Sequence, residues 1–190
     1  MRRGFADRLR AVEVGPLSRR YFVSNGFDGA LTCVGLVVGA LLSGVTDGVT
    51  VLRVGFGAAV GLGTSGVWSV WEIERAEKRA ELQALEASML TELRGTAPDR
   101  RRRRERVVNA VTSGLGPVVG VLVPLVPFAF EGVVFSMAEA TLAAVATAVA
   151  VLFTFGVFLA SSSDRRWYVA GIRMGAAGVF VALLTLVLPG

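Results

Sequence analysis

The sequence predicts an all-α membrane protein with five transmembrane helices, its N-terminus inside and its second helix extended into the cytoplasm. Three observations predict it. The first is a set of five apolar stretches, at 27–45, 49–70, 107–130, 137–160 and 167–188. A run of about 20 apolar residues, rising about 1.5 Å each, matches a hydrocarbon core about 30 Å thick. The second is composition. The 190 residues are 53% hydrophobic, with a mean hydropathy of +0.61, which is too apolar for a soluble domain of this length. The third is the alternation of charge. Arginines crowd the N-terminal segment (Arg2, Arg3, Arg8, Arg10, Arg19, Arg20), the connection between spans two and three (Arg75, Lys78, Arg79, Arg94, the run 100–104, Arg106) and the link between spans four and five (Arg165, Arg166). The remaining connections carry only Asp47 and Glu131. Positive residues stay on the cytoplasmic side, which fixes the expected orientation and leaves the C-terminus outside.

Residues 1–24 place Phe5, Leu9 and Val12 at helical spacing among arginines. They read as a cytoplasmic amphipathic segment on the inner surface, its helix ending near Gly15-Pro16. Residues 25–70 hold spans one and two, joined by a tight outer hairpin with Asp47 as a turn residue. The second span has no breaker after Val70 until Gly95, so it runs on into the cytoplasm. Residues 71–106 therefore form a cytoplasmic helix and an Arg-rich connection. Residues 107–190 hold spans three to five. Span three contains Pro117, Pro124 and Pro127, which remove helix hydrogen bonds and kink or unwind it. Glu139 reads as a first-turn residue of span four. Trp68, Trp71, Trp167 and Tyr168 sit where an inner aromatic belt is expected. Spaced glycine pairs (Gly35/Gly39, Gly57/Gly61, Gly116/Gly120, Gly171/Gly175) suggest tight helix packing and a dimer.

The composition excludes several chemistries. There is one cysteine, Cys33, and no histidine, so an internal disulfide, an imidazole-bound haem or zinc and a histidine proton relay are all ruled out. No nucleophile–base pair or metalloprotease motif points to an enzyme, and no permanently bound cofactor is expected. The net charge of +5 arises from arginines flanking spans, so the expected contact is anionic lipid rather than nucleic acid. One lysine against 19 arginines, with no cleavable signal, suits a multi-pass protein of a prokaryotic plasma membrane.

Ionisable residues in spans are costly to bury and mark candidate sites. Asp28 reads two ways, as an N-cap of span one or as a cation ligand. Glu72, Glu74, Glu77 and Glu81 also read two ways. The last three share one helix face by i, i+3, i+7 spacing and offer hard oxygen donors. The same residues make a solvated face with ion pairs such as Glu74 to Lys78.

The segment Asn25-Gly26-Phe27-Asp28-Gly29-Ala30-Leu31-Thr32 resembles the Asp-Gly entry of the vacuolar iron transporter family. Span three, from Asn109 through Gly116-Pro117 to Pro124-Leu125-Val126-Pro127, resembles that family's third span, and Gly171-Ile172-Arg173-Met174 its last. The resemblance covers nearly the whole chain. It implies a homodimer exporting Fe(II) or Mn(II) from the cytoplasm, in exchange for protons, along a path between subunits. It places Asp28 on that path, with Asn25, Thr64, Ser65, Ser69, Pro124 and Pro127 lining it and Glu72, Glu74, Glu77 and Glu81 gathering metal at the inner mouth. The chain also departs from the family. Ser65 and Ser69 stand where methionine and glutamate are usual, and the cytoplasmic hairpin is short and Arg-rich. These departures suit a transporter of another substrate, or a non-transporting scaffold or partner subunit of the same fold.

Overall fold

A computed structural model describes residues 15–89, 97–160 and 166–187. The amphipathic segment expected before Gly15 lies outside them. Five long helices follow one another: α1 (Pro16–Leu42), α2 (Gly48–Met89), α3 (Ala97–Leu125), α4 (Met137–Ala160) and α5 (Trp167–Val187). All five are long and apolar enough to cross a membrane. A short 3-10 turn, Val126–Phe130, follows α3.

Helix ends follow local chemistry. Pro16 opens α1 behind Gly15, because its fixed φ suits a first turn and its missing N–H would be unpaired there anyway. Pro16 thus starts a helix, where the sequence suggested the end of one. The chain runs unbroken through positions 24 and 25, so that expected boundary falls inside α1. Gly44, at φ 75, turns the chain out of α1, a conformation that glycine adopts without a Cβ penalty. Asp47 caps α2, accepting from the N–H groups of Val49 and Thr50 and from the Thr50 hydroxyl. Ser136 and Glu139 form a reciprocal capping box at the start of α4.

The 42-residue α2 confirms one continuous helix from the hairpin past the bilayer, about 63 Å at standard rise. Neither Pro117 nor Pro124 ends α3. The helix instead tightens into the 3-10 turn after Leu125, where Pro127 stands.

Helix α3 is the hub, lying between α1 and α2 along most of their lengths. α1 runs parallel to it at a nearly constant register, with Asn25 meeting Ser113 and Cys33 meeting Val121. Glycines make the approach close. A Cβ on Gly29 would fall 2.7 Å from the Pro117 Cα, and one on Gly120 would run into the Gly26 carbonyl and lie 2.9 Å from the Ala30 nitrogen. α2 packs antiparallel against another face of α3, with Gly63 against Val118 and Gly66 against Ser113. α4 and α5 form a second pair, closed by Gly156 on Ala170 and by Gly171 on Phe153, and α4 reaches α1 through Phe22 and Phe155 (5.5 Å, edge to face). The core at the hairpin end holds Val37, Val51, Val121, Leu125, Phe128 and Ala144. Glu131 ties that end together by accepting from the Gly48 N–H at 3.3 Å.

Two outcomes follow from this packing. Gly120→Ala should destabilise the protein by about 1–3 kcal/mol through overpacking against backbone. Gly39→Ala, which meets open space, should change stability by no more than about 0.5 kcal/mol. Denaturant melts in detergent separate the two, and equal effects would contradict the close α1–α3 contact. The Asp47 carboxyl lies below the usual range because the Thr50 hydroxyl, two backbone N–H groups and Arg53 favour its charged form. A depressed folded value adds stability above the unfolded pKa, near 3.9, and loses it as pH falls through the folded value. Asp47→Ala should therefore melt below wild type at pH 7, with the gap shrinking as pH drops below about 4.

Candidate metal-transport site

The helix register places Asp28 near the middle of α1, about 18 Å beyond Pro16 at standard rise. That position excludes the N-cap reading, because the helix begins three turns earlier. Asp28 lies on an exposed face of α1 that continues through Thr32, with Gly35 and Gly39 opening onto empty space on the same side. A charge at that depth is costly unless water, a cation or another chain meets it.

α2 presents a matching open face. Gly57 and Gly61 have nothing within reach of a Cβ, and Thr64, Ser65 and Trp68 are exposed beyond them. Because α3 is the common reference for both registers, Asp28 and Thr64 stand at the same height, near Gly116. α1 and α2 touch each other little, so their open faces flank α3. Ser69 is also exposed, its hydroxyl donating to the Gly66 carbonyl at 3.5 Å. Asn25 instead turns inward, its amide donating to the Tyr21 carbonyl and to Ser113 Oγ at 2.8 Å. Pro124 is buried and Pro127 half-buried at the hairpin end, far from the height of Asp28.

The glutamates separate. Glu72, Glu77 and Glu81 are exposed on the extension of α2. Glu72 pairs with Arg75 at 3.6 Å. Lys78 pairs with Glu81 at 4.0 Å and with Glu105 of α3 at 3.6 Å, rather than with Glu74 as i, i+4 spacing suggested. Such exposed pairs add little stability. Glu74 departs from that face because it is fully buried in the seam where α1, α2 and α3 meet. Its Oε1 accepts from Asn109 Nδ2 at 3.0 Å and from the Tyr21 hydroxyl at 3.4 Å. The Ser18 hydroxyl donates in turn to Asn109 Oδ1. Among the described residues, no three His, Cys, Asp or Glu side chains converge as a metal cluster.

Sequence reasoning missed this polar seam. Its signal was present in Asn109 and Ser113, polar residues four apart on one face of an apolar helix, yet nothing local identified Ser18, Tyr21 and Glu74 as their partners. Arg173 is exposed on α5.

Five apolar helices around a glycine-packed hub, with a carboxylate exposed midway along α1, are the architecture of a multi-pass membrane protein. The chain belongs to the VIT family, whose model matches residues 67–189, and so is a membrane transporter of metal ions by class. The match covers α3 to α5 and the later part of α2, whereas Asp28 precedes it. An uncharacterized protein of Methanocaldococcus jannaschii is 29% identical over 173 residues, covering 90% of this chain and 87% of that one.

Ser113 links all three central helices, accepting from Asn25 and donating to the Gly66 carbonyl at 2.9 Å. Ser113→Ala should cost about 1–3 kcal/mol by leaving buried partners unsatisfied. Ser65→Ala, on the open face, should stay within about 0.5 kcal/mol. Unfolding in mixed micelles checks both, and a silent Ser113→Ala would show that the seam does not hold the helices together.

Proposed function

We propose that this chain exports a divalent metal, Fe(II) or Mn(II), from the cytoplasm in exchange for protons, working as a homodimer in a prokaryotic plasma membrane. The observation that carries the reading is Asp28, the one carboxylate of α1, on an open face midway along the helix. A second copy laid against the α1 and α2 faces would close Asp28 into a shared path with Thr64, Ser65 and Ser69. The open glycines, Gly35, Gly39, Gly57 and Gly61, allow the close backbone approach such a contact needs. Oxygen donors suit Mn(II) well and Fe(II) adequately. The Arg-rich end of the bundle faces the cytoplasm in this reading, and the exposed Glu72, Glu77 and Glu81 attract metal to the entrance.

A second reading, a transporter of another substrate or a non-transporting scaffold of the same fold, is favoured by Ser65 and Ser69. They replace the thioether and carboxylate that family members commonly place there.

Uptake of Fe(II) and Mn(II) into proteoliposomes under an imposed pH gradient separates the readings. Metal movement should depend on the gradient. It should fall by at least about tenfold in Asp28→Asn, since even outer partners of a metal site can cost that much. Folded protein that moves neither ion would favour the second reading.

A further inference from the structure

The loop between α3 and α4 is built unlike the other connection at its end of the bundle. The α1–α2 hairpin exposes Ser43, Thr46 and Asp47, as a turn in water does. The α3–α4 loop exposes Val126 (55%), Phe130 (50%), Val133 (87%) and Val134 (63%). Val133 is more exposed than any other large hydrophobic among the described residues. The one charge of the loop, Glu131, turns back onto the bundle, its carboxylate accepting from the Gly48 N–H of α2. An apolar tip is thus presented outwards while the carboxylate is held inwards.

The backbone of the loop closes on itself. The Glu131 N–H donates to the Phe128 carbonyl and the Gly132 N–H to the Phe135 carbonyl at 2.9 Å. The N–H groups of Val133, Val134 and Phe135 all donate to the Phe130 carbonyl, at 3.3, 2.9 and 3.3 Å. Gly132, at φ 79, makes the turn, and the Ser136 N–H is taken by Glu139. Every N–H from Glu131 to Ser136 is therefore met within the loop and the cap that follows it. Lipid demands such closure, because it offers backbone donors no partner. A connection lying in water needs neither this closure nor an apolar tip.

We propose that the α3–α4 loop is a membrane anchor, with Phe130, Val133 and Val134 inserted among the lipid chains of the leaflet opposite the Arg-rich end. The apolar part of α3, residues 107–125, is about 28 Å long at standard rise, close to the thickness of a hydrocarbon core. The loop therefore starts where the hydrocarbon ends, and its tip lies at the boundary with the headgroups, where interfacial water can meet its carbonyls. The exposed Glu139 begins α4 at the same polar limit. Lipid is favoured over a second copy by continuity. Val126 extends the exposed side of α3 that includes Val123, one turn earlier (40%), so the patch prolongs a face that a spanning helix already turns to lipid. Through Glu131 and Gly48 the anchor also reaches the first turn of α2, so the bilayer sets the depth of both helix ends. The proposal does not depend on which ion is transported.

The test is nitroxide labelling of the full chain in phosphatidylcholine vesicles, with the label's exposure to oxygen and to a water-soluble Ni(II) chelate read by electron paramagnetic resonance. Cys33 is fully buried, and unlabelled wild type gives its background. Val133→Cys and Val134→Cys report on the tip, Thr46→Cys on the hairpin and Phe180→Cys on an exposed position of α5. Thermal melts confirm that each variant folds. The ratio of oxygen to chelate exposure at Val133 and Val134 should exceed that at Thr46 severalfold and approach that at Phe180. A ratio equal to that at Thr46 would place the tip in water and overturn the anchor. Labels shielded from both reagents and broadened by a neighbouring spin would show a second copy covering the tip, which overturns it equally.

Discussion

The close parallel packing of α1 on α3 is the constraint on which the rest of the molecule depends. Gly26, Gly29, Gly116 and Gly120 remove the side chains that would otherwise hold the two backbones apart. In a bilayer the hydrophobic effect supplies little force between helices, so contact depends on dispersion and on interhelical hydrogen bonds. Both need short distances. The approach sets a single register, repeated from Asn25–Ser113 to Cys33–Val121, and every functional height in the bundle is measured from it.

That register has two consequences that pull in opposite directions. On its inner side it aligns Ser18, Tyr21 and Asn25 with Asn109 and Ser113, producing a polar seam into which α2 inserts Glu74 and the Gly66 carbonyl. On its outer side it turns Asp28 away from every neighbouring helix. One carboxylate is therefore enclosed by hydrogen-bond donors while another stays open at mid-depth. The helix dipole has little bearing on either, since neither lies in a first turn. Their environments differ because of rotation about the helix axes. The bundle is thereby divided between a hydrogen-bonded seam that holds the helices together and an open face that no neighbouring helix covers.

Much of the fold was legible in the sequence. Apolar length gave the five spans, and the lack of a breaker after Val70 gave the long α2. Glu139 in the first turn of span four and the turn at Asp47 were local signals with local outcomes. The start of α1 was misplaced because Gly15-Pro16 is an ambiguous pair. It can end one helix or begin the next, and only packing of Ser18 and Val23 against the bundle decides. Asp28 was singled out as an ionisable residue in a span, and its N-cap alternative depended on that misplaced start. The glutamates were grouped by spacing alone, which gives the face they share on a helix but not what that face meets.

By itself the sequence determined the number of spans, their approximate limits, the charge asymmetry between the two ends and the absence of imidazole chemistry. These follow from composition and from interactions within a few residues, where water, lipid and the backbone are the only partners. Tertiary structure alone decided that Glu74 is enclosed while Glu77 and Glu81 are not, that Asn25 braces a seam, and that Asp28 shares a height with Thr64. Those facts depend on how three helices rotate and slide against one another. That arrangement is fixed by glycine contacts between positions far apart in the chain, and no local pattern encodes which glycine will meet which.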